Sequence, residues 1–339
     1  MQAIDTQAYR QQLWPVPPVP DQQDGSPRRL GVEIEFAGLS IERISEIACE
    51  VLGGEIEKCS NYEYFLRETP WGDFGIELDF SYLKKLGRER APDAKIDDLD
   101  DLAESVLALL ARQVVPYEVV SPPLPMAEVW RMDTLIQRLR REGAKGTKHA
   151  LSYAFGLHLN PEMPDLEAET VLNYLRAFLS LFEWLKDRSD VDLSRRVTPY
   201  IDPFEKDYIR LVTAENYAPD MDQLIDDYLE HNPTRNRALD MLPLFCHIDE
   251  PRVRAKVDDD RVKPRPALHY RLPNCQIDEK DWGLIRPWKD WLQIEALAAD
   301  PKRLDAVCRG YRKYLANPTS GLFSDWGEAS ARWLLPELL

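Results

Sequence analysis

Five stretches of the 339-residue chain alternate apolar and polar side chains, and most of the polar members are groups that bind cations or anions. In LGVEIEF (30–36), Glu33 and Glu35 fall on one side while Leu30, Val32, Ile34 and Phe36 fall on the other. FGIELDFS (74–81) places Glu77 and Asp79 together, and PYEVVS (116–121) contributes Glu118. YAFGLHLN (153–160) sets His158 beside Gly156 and Asn160, and ALHYRLP (267–273) sets His269 beside Arg271. Two is the side-chain period of a β-strand, so each polar set lies on one strand face. If these strands share a sheet, their apolar faces bury, and the opposite face collects Glu33, Glu35, Glu77, Asp79, Glu118, His158, His269 and Arg271. Carboxylates packed so closely repel one another unless cations neutralise them. Hard divalent ions such as Mg²⁺ or Mn²⁺ match an oxygen-rich set assisted by imidazole. Taken singly, a Glu-x-Glu pair reads as the solvent face of an edge strand, and a lone histidine as an ordinary hydrogen-bonded one. Recurrence over several strands points instead to a metal or phosphate site. Gly31, Gly156 and the Ser121-Pro122-Pro123 turn stand beside the ionisable groups, where backbone can approach a ligand.

The elements that must position these residues are legible in outline. Ser40 can cap a helix whose Ile44, Ile47, Ala48, Val51 and Leu52 recur at helical spacing before Gly53-Gly54 stops it. Residues 99–110, 126–141, 168–185 and 221–229 read as further helices, and the chain from Trp288 onward reads as mainly helical. Strands separated by helices at uneven spacing, with no obvious tight hairpin, predict an α+β fold with a mostly antiparallel sheet. Residues 1–29, with the Pro-rich segment Trp14–Pro20, read as a flexible arm. The expected layout is this arm, a catalytic domain over 30–285 and a helical C-terminal extension over 286–339.

Composition narrows the function. Hydrophobic residues make up 44% and charged residues 30%, the balance of a globular protein. Lys and Arg number 43 against 59 Asp and Glu, a net charge of −16 that repels nucleic acid and anionic membranes at long range. A small anion such as ATP responds to local charge, so it is not excluded. No apolar run reaches the roughly 18 residues of a membrane span. The opening MQAIDTQAYRQQLWPVPPVP lacks a basic stretch followed by an apolar one, and so does not read as a secretory signal. The five cysteines are dispersed without CxxC spacing, the pattern of reduced thiols in a cytoplasmic protein.

The order Gly-x-Glu-x-Glu-Phe, Glu-x-x-Ser-Pro-Pro, Gly-x-His and a late-strand Arg resembles the carboxylate–amine ligase superfamily that includes glutamine synthetases and glutamate–cysteine ligases. The chain is most similar to the amidoligase family of bacteria and fungi. The stretches that carry this are RLGVEIEF, YEVVSPPL, AFGLHLNP, NPTRNRALDMLPLF and RPALHYRLPN, spread over residues 29 to about 295. The resemblance implies a glutamine-synthetase-like catalytic sheet that holds ATP and Mg²⁺ or Mn²⁺. It implies metal ligation by Glu33, Glu35, Glu118 and His158, and nucleotide contacts from His158 and Arg271. Arg235 and Arg237 are further candidates for phosphate or substrate carboxylate, or else for surface salt bridges to the acidic helix over 221–230. Arg271, Glu118 and Asp79 are the expected catalytic groups.

One departure stands out. His269 occupies the place of a family glutamate, so it is the remaining metal-ligand candidate, and nearby carboxylates are expected to raise its proton affinity. The implied reaction joins a carboxylate to an amine through an acyl phosphate, with small-molecule or peptide substrates and a partner enzyme from the same pathway. The same acidic face would also suit a metal-dependent phosphohydrolase. The His269 departure would suit a nucleotide- or metabolite-binding module without turnover.

Overall fold

The structure is a computed structural model, and the residues it describes are 13–78, 116–147, 155–189, 204–317 and 325–339. Asp79, the helix expected over 99–110 and the first residues of the run over 153–160 lie outside them. Among the described residues the chain forms ten α-helices and one open sheet of nine strands, all neighbouring pairs antiparallel. The α+β class and the helical C-terminal part are as the sequence predicts.

The strands are β1 (Arg29–Phe36), β2 (Glu55–Lys58), β3 (Glu63–Thr69), β4 (Gly72–Leu78), β5 (Tyr117–Val120), β6 (Leu124–Pro125), β7 (Leu157–Pro161), β8 (Leu239–Asp240) and β9 (His269–Tyr270). Their order is β2-β3-β4-β5-β1-β7-β9-β8, with β6 also paired to β1. The alternation in β1 explains its place beside β5 and β7. Leu30, Val32, Ile34 and Phe36 are all fully buried, and each such side chain contributes about 1.5–3 kcal/mol on leaving water. That burial anchors the acidic residues between them.

Helix α1 (Ile41–Leu52) follows at once. Ser40 Oγ accepts from the Arg43 amide at 3.3 Å, and Gly53, at φ 76°, ends the helix in a conformation that other residues resist. It packs on β3, β4 and helix α2 (Trp130–Arg141). The long helix α3 (Ala168–Arg188) packs against the C-terminal helices α8, α9 and α10, whose ranges are Ile285–Ala298, Pro301–Ala316 and Trp326–Ser330. Between them come α4 (Lys206–Val212), α5 (Met221–His231), α6 (Leu242–Ile248) and α7 (Glu250–Arg254). Phe178 of α3 and Trp291 of α8 meet the ring of Tyr270 at 6.0 and 5.4 Å, so these helices cover the β9 end of the sheet. Among the described residues no helix is long and apolar enough to cross a membrane, and all five cysteines are free thiols.

The sequence reading did not foresee β2, β3 or the hairpin that joins β3 to β4. All four β2 residues are exposed and three of them are charged, so they show no apolar alternation. In β3 the consecutive Tyr64, Phe65 and Leu66 mask the period: Tyr64 and Leu66 bury, while Phe65 carries the Arg67 guanidinium 4.1 Å from its ring centre. The run over 267–273 shortens to two strand residues because Pro266 and Pro273 cannot donate to a ladder.

A buried carboxylate on α8 makes stability depend on pH. Asp290 accepts from Arg188 Nε at 3.1 Å, yet burial outweighs this partner and raises its pKa to about 6. A raised carboxyl pKa means that the folded state holds the proton more tightly. Stability is therefore highest below the unfolded value and falls as pH rises toward about 6, by about 3 kcal/mol in all. Urea unfolding of wild type and Asp290→Asn should show the variant gaining on wild type between pH 4 and pH 7.5. A constant difference would contradict this.

Candidate metal and anion site

The strand register builds a row of acids one residue deep across four strands. Glu63 faces Glu77, Glu77 faces Glu118, and Glu118 faces Glu35, so β3, β4, β5 and β1 each supply one. Residues directly opposite in an antiparallel pair project from the same face. One step along β1, Glu33 faces Val120 on one side and His158 on the other, and Gly31 faces Asn160. The structure thus brings Glu33, Glu35, Glu118 and His158 together on one face, with Glu77 in the same row. Crowding has a measurable sign: burial, Glu63 and Glu33 together push the Glu77 carboxyl above its ordinary value.

Most acids near β1 are pinned. Glu35 Oε2 accepts from the Gly156 amide at 2.7 Å. Glu33 Oε1 accepts from Asn160 Nδ2 at 2.8 Å, and Glu33 Oε2 lies 3.0 Å from His158 Nδ1. Burial works to raise the Glu33 carboxyl, but the charges of His269 and Arg265 and the hydrogen bond and charge of His158 hold it well below the usual range. Gly156 is glycine for want of space. A Cβ there would sit 2.6 Å from His158 Nε2 and 3.3 Å from Glu35 Oε2. Gly156→Ala should therefore displace the imidazole and weaken Mn²⁺ binding by at least about tenfold, the cost of a misoriented ligand. Calorimetric titration would check it, and an unchanged affinity would show that His158 Nε2 is not needed.

His269 is almost fully buried, and its Nδ1 lies 2.6 Å from both Asn160 Oδ1 and Arg265 Nη2. Its Nε2 is buried without a hydrogen-bond partner. The expectation that carboxylates raise its proton affinity is overturned. Burial, Arg271, His158 and Arg265 hold the imidazole well below its usual value, against the opposing pull of Glu33. A neutral imidazole keeps a lone pair that can face a cation.

Beyond His269 lies a basic end. Arg271 Nη2 is 3.6 Å from the fully buried Asp240, whose Oδ1 accepts from the Leu242 amide. Arg235 is lowered from its ordinary pKa by burial and by Arg271, the sign of guanidiniums packed together. Arg237 is buried, donates to His231 O at 3.3 Å and lies 5.6 Å from the Phe204 ring centre. Two acids of α5, Asp222 and Asp226, pair with Arg252. Asn160 and Arg265 are additional members of the site. Asn160 shares the parity of His158, so its place was readable, whereas Arg265 sits in a loop between two prolines where no periodicity marks it.

Two sets of side chains can each surround a cation: Glu33 with His158 and His269, and Glu35 with Glu118 and His158, their donor atoms all within 4.8 Å of one another. Carboxylate and imidazole donors, together with the orphaned buried Nε2 of His269, fit Mg²⁺ or Mn²⁺. Comparison with known proteins gives the class. The chain belongs to the amidoligase family, whose model, described as "Putative amidoligase enzyme", matches residues 26–293. Membership makes it a ligase-type enzyme. No curated protein and no solved structure matches it.

Proposed function

We propose that the protein is an ATP- and divalent-metal-dependent ligase that joins a carboxylate to an amine through an acyl phosphate. The observation that carries this reading is the convergence of Glu35, Glu118 and His158, with His269 beyond them, on the sheet face that runs into the Arg265–Arg271 cluster. In the reaction a substrate carboxylate oxygen attacks the γ-phosphorus of ATP, the bond to the bridging oxygen breaks, and ADP leaves. The amine nitrogen then attacks the acyl carbon, the carbon–oxygen bond to phosphate breaks, and the amine proton goes to solvent or a nearby carboxylate. Catalysis of this kind needs positioning and charge neutralisation rather than a covalent nucleophile.

The protein's residues divide that work. Glu33, Glu35, Glu118, His158 and His269 form the end that would hold Mg²⁺ or Mn²⁺, and the bound ion supplies positive charge to the phosphate oxygens. Arg271, with Arg235, Arg237 and Arg265, forms the end suited to a phosphate or a substrate carboxylate. Glu118 and Asp79 are the carboxylates proposed to take part in the chemistry. The dispersed free thiols support a cytoplasmic setting. The substrates are proposed to be small-molecule or peptide carboxylates and amines, supplied by a partner enzyme of the same pathway.

The test is ADP release over a panel of acids and amines with Mg²⁺–ATP. Release that requires both an acid and an amine supports the ligase. Release without either would show a phosphohydrolase, and nucleotide binding without release over a broad panel would show a binding module.

A further inference from the structure

A fully buried acid stands among the guanidiniums of the basic end. Asp240 closes β8, and its Cα pairs with that of His269. Arg271 N donates to Ala238 O at 2.9 Å, two residues before it. Asp240 and Arg271 are therefore diagonal neighbours on one face of the β8–β9 pair, within reach of a long side chain. Asp240 Oδ1 accepts from the Leu242 amide at 3.0 Å, which fixes the carboxylate. Its Oδ2 makes no hydrogen bond and lies 3.6 Å from Arg271 Nη2. The charges of Arg271, Arg235 and Arg265 all act on this group. Arg235 in turn is repelled by Arg271 and attracted by Asp240. A second acid that acts on Arg235, Asp259, is already held by Arg261 through hydrogen bonds of 2.8 and 2.7 Å. Asp240 is thus the buried carboxylate that two mutually repelling guanidiniums share.

That placement works against simple anion attraction. An end that only gathered positive charge would gain nothing from a buried carboxylate, which cancels a charge and is costly to desolvate. A guanidinium, however, is a planar fork, and its strength toward phosphate or carboxylate depends on how it is turned. We infer that Asp240 is a positioning residue that fixes the guanidinium of Arg271 and holds Arg235 beside it, so that both face one anion. This rests on the reading above, in which the basic end receives phosphate or carboxylate oxygens. Asp240 itself touches no substrate, and its effect passes through Arg271. Charge and position predict opposite signs. If charge alone mattered, Asp240→Asn would add a positive unit to the end and tighten anion binding. If position matters, the same substitution weakens it.

Two measurements on the full chain test this. The first is NMR of ligand-free, ¹⁵N-arginine-labelled protein, with Arg271→Lys assigning the signal. The Arg271 Nη groups should give separate resonances, because rotation about Nε–Cζ is slow in a held guanidinium. Asp240→Asn keeps an oxygen for the Leu242 amide but loses the charge, and should merge them into one. Signals that are the same in both proteins overturn the inference. The second is calorimetric Mg²⁺–ATP titration of wild type, Asp240→Asn, Arg271→Lys and the double variant. Asp240→Asn should bind about tenfold more weakly, and the double variant should match Arg271→Lys to within about twofold, as for groups that act as one unit. Binding by Asp240→Asn that equals or exceeds wild type overturns the inference. Losses that simply add do so too, since they mark a structural role alone. Should Asp240→Asn not fold, Asp240→Ser takes its place with the same expected results, its hydroxyl accepting from the same amide. A wild type that binds no Mg²⁺–ATP would remove the proposed function, whereas the arginine signals would still decide whether Asp240 holds Arg271.

Discussion

Glu35→Gln is expected to abolish Mg²⁺-dependent nucleotide binding while leaving the metal-free fold at least as stable as wild type. The two halves of this result have separate causes. Glutamine keeps an oxygen that accepts from the Gly156 amide, so the β1–β7 junction retains its hydrogen bond. It also removes one negative charge from the row in which Glu35 faces Glu118 and Glu118 faces Glu77, which relieves repulsion in the metal-free state. The cation site, by contrast, loses a carboxylate from a set of three. Thermal melts with and without Mg²⁺–ATP read both effects. A ligand at 100 times its Kd stabilises by about 2.7 kcal/mol, and the variant should show none of that shift. Equal shifts in variant and wild type would remove Glu35 from the site.

The second large effect concerns a buried ion pair. Glu295→Ala should destabilise the protein by about 3–5 kcal/mol, the usual cost of stranding a buried charge. Arg28 and Glu295 are both essentially fully buried and meet at 2.9 and 3.0 Å through two parallel hydrogen bonds. Tyr174 of α3 donates to one carboxylate oxygen and Trp291 of α8 to the other, the latter at 2.8 Å. Arg28 also donates to the carbonyls of Val19 and Glu162. One carboxylate thus ties the start of β1 to two helices and to the segment before it. Removing it leaves a guanidinium in the core with only carbonyls for partners. Urea unfolding should show a lower midpoint at unchanged slope. A loss below about 1 kcal/mol would mean that the pair is solvated in solution.

The sheet face was legible because strand parity is a local property: Leu30, Val32, Ile34 and Phe36 had to bury together, which left Glu33 and Glu35 together on the other side. Ser121 shows the limit of that reasoning. Its backbone amide and its hydroxyl both bond to the Val32 backbone, at 2.9 and 2.8 Å, so the Ser-Pro-Pro turn continues the β1 ladder past prolines that cannot donate. The sequence shows such a turn, but not which strand it clasps. Partner-dependent properties were likewise hidden. Nothing in the spacing of Glu33 and Glu35 says that one faces Asn160 and His158 while the other faces the Gly156 amide. The proton affinity of His269 was misjudged for the same reason, because burial outweighs the nearby carboxylate and Arg265 arrives from a loop that no periodicity marks. The α3–α8 packing depends on contacts more than 100 residues apart, such as Tyr174 against Trp291 and Glu295, which no window of sequence displays.

The most direct test of the central claim asks where a divalent cation binds. Stoichiometric Mn²⁺ added to the ¹⁵N-histidine-labelled protein should broaden the His158 and His269 signals, because a paramagnetic ion erases nearby resonances. The same addition to Glu35→Gln should leave both sharp. Broadening that is equal in the two proteins, or that spares His158 in the wild type, would place the ion elsewhere and contradict the account.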